Sequence, residues 1–388
     1  MSQRVGQSKR RRICFVTGTR ADFGLMRSVI RAIKDHPALE LQLAVTGMHL
    51  DRSRGYTIDS IRAEKWKIDA VVPWSRGDGG ATAAVAATGK AVASLASLYD
   101  KLGSDVVIVV GDRVEAFAAA SAAHISDRLV AHVHGGDRAL GQVDDSLRHA
   151  ITKLAHIHFP ATTLSARRLE KLGEDRWRIF TTGAPGLDDI RTSVASRTEL
   201  SREFPGFRPR RYALLVLHPQ TPDVSKEASA ARLLLKAVEA CDFEHIVIVY
   251  PNTDPGADGI ASVWAALPDD ARRIVRRDIS RPLFLGLMRD AAVLVGNSSA
   301  GIIEAASFGT PVLDVGARQR GREHGPNVIH SPFKEAALRK CLARIWNSGT
   351  PIRFPARNPY GAGGTGRRIA ANLARIRPER FLRKLISY

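Results

Sequence analysis

Ile13-Cys14-Phe15-Val16-Thr17-Gly18-Thr19-Arg20-Ala21-Asp22-Phe23-Gly24 is an apolar run that breaks at a glycine-containing turn and passes into a helical pattern at Leu25–Ile33. A second run, Leu41–Val45, follows, and the alternation continues. Strands are read at Val106–Val110, Leu129–Val133 and Ile157–Phe159, and helices at Ala84–Leu98, Ala116–His124 and Leu147–Leu154. Nearly continuous apolar strands separated by helices are the pattern of βαβ units around a parallel sheet covered on both faces. A polar stretch with Pro and Arg intervenes over 191–211. The pattern then restarts, with strands at Tyr212–Leu217, Ile246–Tyr250, Arg273–Val275, Ala292–Val295 and Val312–Val315. The reading is an α/β chain of two doubly wound, Rossmann-like domains at 13–190 and 212–364, with a basic tail at 1–12, a linker at 191–211 and a C-terminal stretch at 365–388. Ligands of such sheets sit beyond the carboxyl ends of the strands, so a cleft between the domains is the expected site. Gly77–Ala87, rich in small residues, reads as a mobile loop leading into a helix.

The length of 388 residues leaves ample room for buried cores, and 44% hydrophobic with 25% charged residues excludes wholesale disorder and fibrous repeats. Charge is the outlier: 58 Lys plus Arg against 39 Asp plus Glu leave +19, which points to an anionic partner. Nucleic acid is a poor fit, because aromatic residues make up only 6% and no zinc-finger, RNP or heptad pattern occurs. Pairs such as Arg167-Arg168 and Arg272-Arg273 read as solvated helix faces, and the run Lys9–Arg12 as a frayed tail. No segment has the apolar length of a membrane span or a signal peptide, so no membrane partner is expected. The widely spaced Cys14, Cys241 and Cys341 suggest neither a disulfide framework nor a cysteine metal site, in keeping with a cytoplasmic setting.

The strand ends carry the chemistry. Thr17-Gly18-Thr19-Arg20 offers backbone N–H groups and a guanidinium suited to phosphate. Gly111-Asp112-Arg113-Val114-Glu115 places two carboxylates and an arginine where the sheet opens; the structural alternative has Asp112 capping a helix and Glu115 completing a capping box. His132-Val133-His134-Gly135-Gly136-Asp137 follows, and alternation along a strand turns His132 and His134 toward one face. Zinc is one use of two histidines and a carboxylate, but no helical ligand pair accompanies them, and Asp144-Asp145 also suits a helix N-cap. Asp112, His134, Asp137 and Asp144 at adjacent strand ends suit acid–base work. In the second half, Gly296-Asn297-Ser298-Ser299 reads as a diphosphate seat and Glu304 as an acceptor for a ribose diol. His218, Asn252 and Arg318 also lie at or just after strand ends.

Together these motifs resemble the hydrolysing UDP-N-acetylglucosamine 2-epimerases. The match runs in order through Thr17–Asp22, Val45–Leu50, Gly111–Arg113, His134–Gly136, Asp144–Leu154, Gly296–Ser299, Thr310–Val312 and Asn358–Gly361. The resemblance implies the two-domain glycosyltransferase B (GT-B) fold, with a last helix within Thr365–Ile386 crossing back to the first domain. It implies a nucleotide-sugar substrate, no cofactor and no metal, and a homodimer or homotetramer. The implied reaction eliminates the nucleotide across C1–C2 to a 2-acetamido-glucal, then adds water to release an N-acetylmannosamine-type sugar and a nucleoside diphosphate. Asp112 and Asp144 match the family's acidic positions, with His134 and Asp137 beside them. Arg20, Arg113, His218, Asn252, Ser298, Ser299, Glu304 and Arg318 match nucleotide and phosphate positions. His134 stands where some relatives have Glu, and Gly24 where the animal sialic-acid enzymes have Ser. Those departures cluster around the sugar and phosphate. The resemblance implies UDP-N-acetylglucosamine or a 2,4-diacetamido analogue, UDP- or GDP-linked, on the way to sialic-acid or legionaminic-acid sugars, and the His-Gly-Gly-Asp version of the strand end resembles the diacetamido branch. A non-hydrolysing 2-epimerase and a GT-B glycosyltransferase are the alternatives.

Overall fold

A computed structural model describes residues 10–52, 56–74, 80–138, 143–251 and 254–385. Among the described residues the chain forms two compact units, one comprising 10–138, 143–188 and 363–385, the other 189–362. In the first unit the elements are β1 (Arg11–Thr17), α1 (Arg20–Asp35), β2 (Leu39–Val45), α2 (Ile58–Ala63), β3 (Ala70–Val71), α3 (Gly80–Leu102), β4 (Val106–Val110), α4 (Val114–Ile125), β5 (Leu129–Val133), α5 (Val143–Leu154), β6 (Ile157–Phe159) and α6 (Thr163–Lys171). All pairings are parallel, in the order β3-β2-β1-β4-β5-β6. This is the Rossmann order, with its topological switch between β1 and β4.

The second unit repeats the plan with α7 (Arg197–Glu203), β7 (Tyr212–Val216), α8 (Val224–Glu239), β8 (His245–Val249), α9 (Ala257–Ala265), β9 (Arg273–Arg276), α10 (Arg281–Asp290), β10 (Val293–Gly296), α11 (Ser299–Ile303), β11 (Val312–Val315), β12 (Val328–Ser331) and α12 (Glu335–Trp346). Its parallel sheet runs β12-β11-β10-β7-β8-β9, the same order read from the other edge. Two Rossmann-like domains are thus present, the pair of sheets that the GT-B expectation requires.

The reasons are local. Every residue of β4 is buried, and its β-branched side chains suit a strand covered on both faces. α4 carries the Ala-rich stretch Ala116–Ala123, whose small side chains let it lie under neighbouring helices with Ala118, Ala119, Ala120, Ala122 and Ala123 all buried. α1 is capped at its start by Thr19, whose hydroxyl accepts from Asp22 N at 3.1 Å, and at its end by His36, just before Pro37.

Several expectations change. Arg11 and Arg12 are not tail but the first residues of β1. Arg11 donates to Ile376 O at 2.8 Å, and Arg12 N donates to Asp105 at 2.8 Å. Of the rest of the expected tail, Arg10 is exposed and 1–9 lie outside the described residues. The stretch 191–211, expected as a linker, holds α7, closed by a capping box between Ser196 and Glu199, and belongs to the second unit. Of the small-residue stretch 77–87, residues from Gly80 onward are helical. Arg272 donates to Cys241 O and Phe243 O, each at 3.1 Å, and Arg273 to Glu239 at 2.8 Å, so neither merely faces water.

The chain ends in α13 (Thr365–Arg375) and α14 (Pro378–Leu382), both in the first unit. Asp188 caps α13 by accepting from Thr365 N and Gly366 N, each at 2.6 Å. α13 buries Ile369, Ala370 and Leu373 and packs on α1 so closely that a Cβ at Gly366 would lie 2.5 Å from Ser28 O. Arg178 holds the end of α14, donating to Phe381 O at 2.8 Å and to Arg383 O, just past the helix, at 2.7 Å. Lys384 reaches Glu174 at 2.6 Å, beside Lys153 at 3.1 Å and His158 at 2.9 Å from the same carboxylate. Burial pushes the Glu174 carboxyl up, but the His158 hydrogen bond and Lys384 outweigh it and hold it down at about 2.

Glu174→Gln leaves the buried Lys384 without its counter-charge, and is expected to cost about 3 kcal/mol in urea unfolding at pH 7. Because the folded-state pKa lies below the ordinary value of 4.5, this stability is present above that pH and is lost toward about 2. The gap between native and variant protein therefore narrows as the pH falls below about 4.5.

Candidate functional site

In the first unit, the loops after β1, β2, β4 and β5 lie side by side because those strands are consecutive in the sheet. Glu115, in the first turn of α4, is buried between two of these loops. A Cβ at Gly18 would lie 2.7 Å from Glu115 Cβ, and one at Gly47, whose φ is +61°, would lie 2.8 Å from Glu115 Cγ. Only glycine leaves room there, and the loops close on the carboxylate. Arg113 Nε sits 3.4 Å from Glu115 Oε2, and Arg113 Nη2 donates to Met48 Sδ at 3.2 Å. The capping-box alternative does not form: Arg113 occupies the N-cap position of α4 and its side chain does not cap.

Arg113 and Glu115 also govern Asp22. Removal from water pushes the Asp22 carboxyl up to about 6, with Arg113 pulling down and Glu115 pushing up. Asp22 was legible only as part of the turn after β1. Nearby, Thr17 Oγ1 lies 3.0 Å from His49 Nε2, while His49 Nδ1 lies 2.8 Å from Thr57 Oγ1. Burial lowers His49 to about 4, so it is a neutral, hydrogen-bonded ring. Arg20, the first residue of α1, is exposed.

Asp112 pairs with Arg148 of α5, which is almost wholly buried. Asp144 and Asp145 fall inside the first turn of α5 rather than at its cap; the Asp144 side chain lies outside the described residues. The two histidines of β5 and its loop part company. His132 lies 2.8 Å by Nε2 from Gly111 O and is held neutral by burial, which lowers it to about 3. His134 has φ +64°, a left-handed backbone unusual for histidine, which breaks the strand alternation. Its Nδ1 lies 2.9 Å from Asp137 Oδ2, and Ser165 donates to Asp137 Oδ1 at 2.8 Å. Arg168, expected on a solvated face, donates to Gly136 O at 2.9 Å and braces the same turn. His134 Nε2 is enclosed and makes no hydrogen bond among the described residues.

In the second unit, Asn297 organises the ends of β7 and β10. Its side chain accepts from His218 N and donates to His218 O, both at 2.8 Å. Its own carbonyl takes Arg318 Nη1 at 3.3 Å and Gln319 Nε2 at 2.9 Å. Arg318 also lies 3.7 Å from Asp254. Ser298 caps α11 by accepting from Ala300 N at 3.3 Å, and Ser299 opens that helix. Glu304 is buried at the end of α11, 2.7 Å from Arg281; burial pushes its carboxyl up and Arg281 opposes this. Asn252 lies outside the described residues. Asn297 and Gln319 were missed as organising residues, although both fall within or beside motifs that the sequence singles out. Among the described residues no three or more His, Cys, Asp and Glu side chains are grouped to hold a metal ion, and no helix is long and apolar enough to cross a membrane.

The raised Asp22 sets a pH signature. Its folded pKa of about 6 exceeds the ordinary 3.8, so the folded state binds this proton more tightly than the unfolded state does. The charged form therefore costs stability above about pH 6, and that cost vanishes below about pH 4. Asp22→Asn is expected to raise the urea midpoint at pH 7.5, with the gain shrinking at pH 5 and disappearing near pH 4.

Residues 31–374 match the family described as UDP-N-acetylglucosamine 2-epimerase. The chain is 36% identical over 359 residues to the UDP-N,N'-diacetylbacillosamine 2-epimerase (hydrolyzing) of Legionella pneumophila, covering 92% of this chain and 94% of that protein. It is 35% identical over 355 residues to the UDP-N-acetylglucosamine 2-epimerase of Neisseria meningitidis, covering 92% of each. Its fold is similar to the crystal structure of UDP-GlcNAc 2-epimerase from Neisseria meningitidis bound to UDP-GlcNAc, with a TM-score of 0.79, 18% identity, and 93% of this chain and 99% of that chain covered. With its sequence matched along most of its length and its two sheets in the same arrangement of strands, the chain belongs to the UDP-N-acetylglucosamine 2-epimerase family.

Proposed function

We propose that this protein is a hydrolysing nucleotide-sugar 2-epimerase acting on UDP-N-acetylglucosamine or its 2,4-diacetamido analogue. The observation that carries the chemistry is the His134–Asp137 pair. A carboxylate fixed by Ser165 orients the imidazole through Nδ1, and to this oriented ring we assign the taking or returning of a proton. A non-glycine residue held in the left-handed region stores strain, which the surrounding hydrogen bonds must maintain. The likeness to the Legionella hydrolysing enzyme supports the hydrolytic outcome and a diacetamido sugar.

The reaction needs two proton-handling groups on opposite faces of the sugar. One takes the C2 proton while the C1–O bond breaks, its electron pair leaving with the nucleoside diphosphate and the C2–H pair forming the C1=C2 bond. Water then supplies hydroxyl to C1, and the second group delivers a proton to C2 from the other face. His134 fills one role, and Asp112, positioned by Arg148, or Asp144 fills the other. Arg20, Arg113 and His218 offset the charge that grows on the departing diphosphate. Ser298, Ser299, Glu304, Asn252 and Arg318 hold the nucleotide, which we take to be UDP. The enzyme works without a metal or cofactor, as a homo-oligomer in the cytoplasm, within nonulosonate synthesis.

Incubation with each sugar nucleotide in deuterated water is expected to place deuterium at C2 of the product. His134→Asn, which keeps a residue tolerant of left-handed backbone, is expected to lower kcat by about 100-fold or more with nucleotide affinity unchanged. Absence of C2 exchange with every sugar would overturn the epimerase reading. Near-native turnover by the variant would overturn the role of His134.

A further inference from the structure

Away from these residues, three side chains of the second unit form a chain. Asp314 on β11 is buried, and its register partner His330 on β12 brings Nδ1 to 2.8 Å from Asp314 Oδ2. His324, in the loop 316–327 between those strands, brings Nδ1 to 2.9 Å from Gly325 O and Nε2 to 3.2 Å from His330 Nε2. Carbonyl and carboxylate oxygens only accept, so both imidazoles carry a proton on Nδ1. In their neutral forms the two Nε2 lone pairs then face each other across 3.2 Å, an arrangement that needs a positive centre between them.

Histidines pinned through Nδ1–H to a carboxylate or a carbonyl are the oriented form in which imidazole ligates metals. The distances fit such a use. With bonds of about 2.1 Å to one shared ion, an Nε2–Nε2 separation of 3.2 Å opens an angle of about 100° at the metal. Rings aimed at that point would have centroids about 4.9 Å apart, and the observed separation is 4.9 Å. A straight N–H···N bond in line with both rings would place them about 5.5 Å apart. Both histidines are exposed, so an ion can reach the point and water can complete its coordination.

We propose that His324 and His330 are a two-histidine chelate for a divalent transition-metal ion of the zinc and copper type. Asp314 and Gly325 O orient the rings, and the bound ion staples the loop 316–327, which carries Arg318, to β12. The site is separate from the chemistry proposed above and does not rest on that reading.

The test is calorimetric titration of the tag-free, chelator-treated full chain with zinc chloride and copper chloride. One ion per chain is expected, with a Kd of about 10 µM for zinc and tighter binding for copper, following the usual order of affinities. His324→Gln and His330→Gln should each weaken binding about 30-fold or more, and Asp314→Asn about 10-fold, through loss of the ring's orientation. Zinc should raise the melting temperature of the native protein and of neither histidine variant, each compared with its own melt in chelator. Absence of saturable one-to-one binding, or binding unchanged in both histidine variants, would overturn the proposal.

Discussion

The buried carboxylate of Glu115 is the constraint on which the amino-terminal site depends. A charge removed from water is costly unless a counter-charge and tight packing accompany it. Here Arg113 provides the charge, and the loops after β1 and β2 provide the packing, closing on the side chain where Gly18 and Gly47 leave room. Arg113 is thereby fixed next to Met48 and Asp22, and the three loops at the Rossmann switch point become one assembly. A side chain larger than hydrogen at either glycine would push against Glu115 itself. The geometry presented to a ligand at this end of the sheet therefore follows from a residue that no ligand need touch.

Much of the fold was legible because a parallel strand covered on both faces has to be continuously apolar. Val106–Val110, Leu129–Val133, Ile157–Phe159 and Val312–Val315 are strands with the bounds their sequences suggest. Two edge strands escaped. β3 is only Ala70–Val71, and β12 reads Val328-Ile329-His330-Ser331, too short or too polar to stand out from a loop. The site was legible as a set of strand ends but not in its internal wiring. His132 and His134 look equivalent by alternation, and they separate because His134 adopts a left-handed backbone that sequence spacing does not reveal. Glu115 resembles a capping residue from its place beside a helix start; only the closeness of Gly18 and Gly47 shows that it is buried packing.

The surplus of basic residues has a second use that composition hides. Arg11, Arg178 and Arg272 donate to backbone carbonyls near element ends, where acceptors lack partners. Arg353 does the same at the end of α10, donating to Ala291 O at 2.8 Å and to Arg289 O at 3.1 Å, and burial lowers its pKa to about 10. A guanidinium offers several donors in a planar fork and serves such ends well. Part of the net charge of +19 is thus structural, and the charge alone says little about an anionic partner.

The chemistry assigned to the site turns on what becomes of the nucleotide. Elimination followed by water addition frees it, whereas a non-hydrolysing epimerase re-forms the C1–O bond. The most direct measurement is a 31P NMR time course of the purified protein with UDP-N-acetylglucosamine and with its UDP-linked 2,4-diacetamido analogue. A hydrolysing enzyme converts the diphosphate ester of at least one of them completely to free UDP. Persistence of the ester, with C2 epimers at equilibrium and no free UDP, would contradict that assignment.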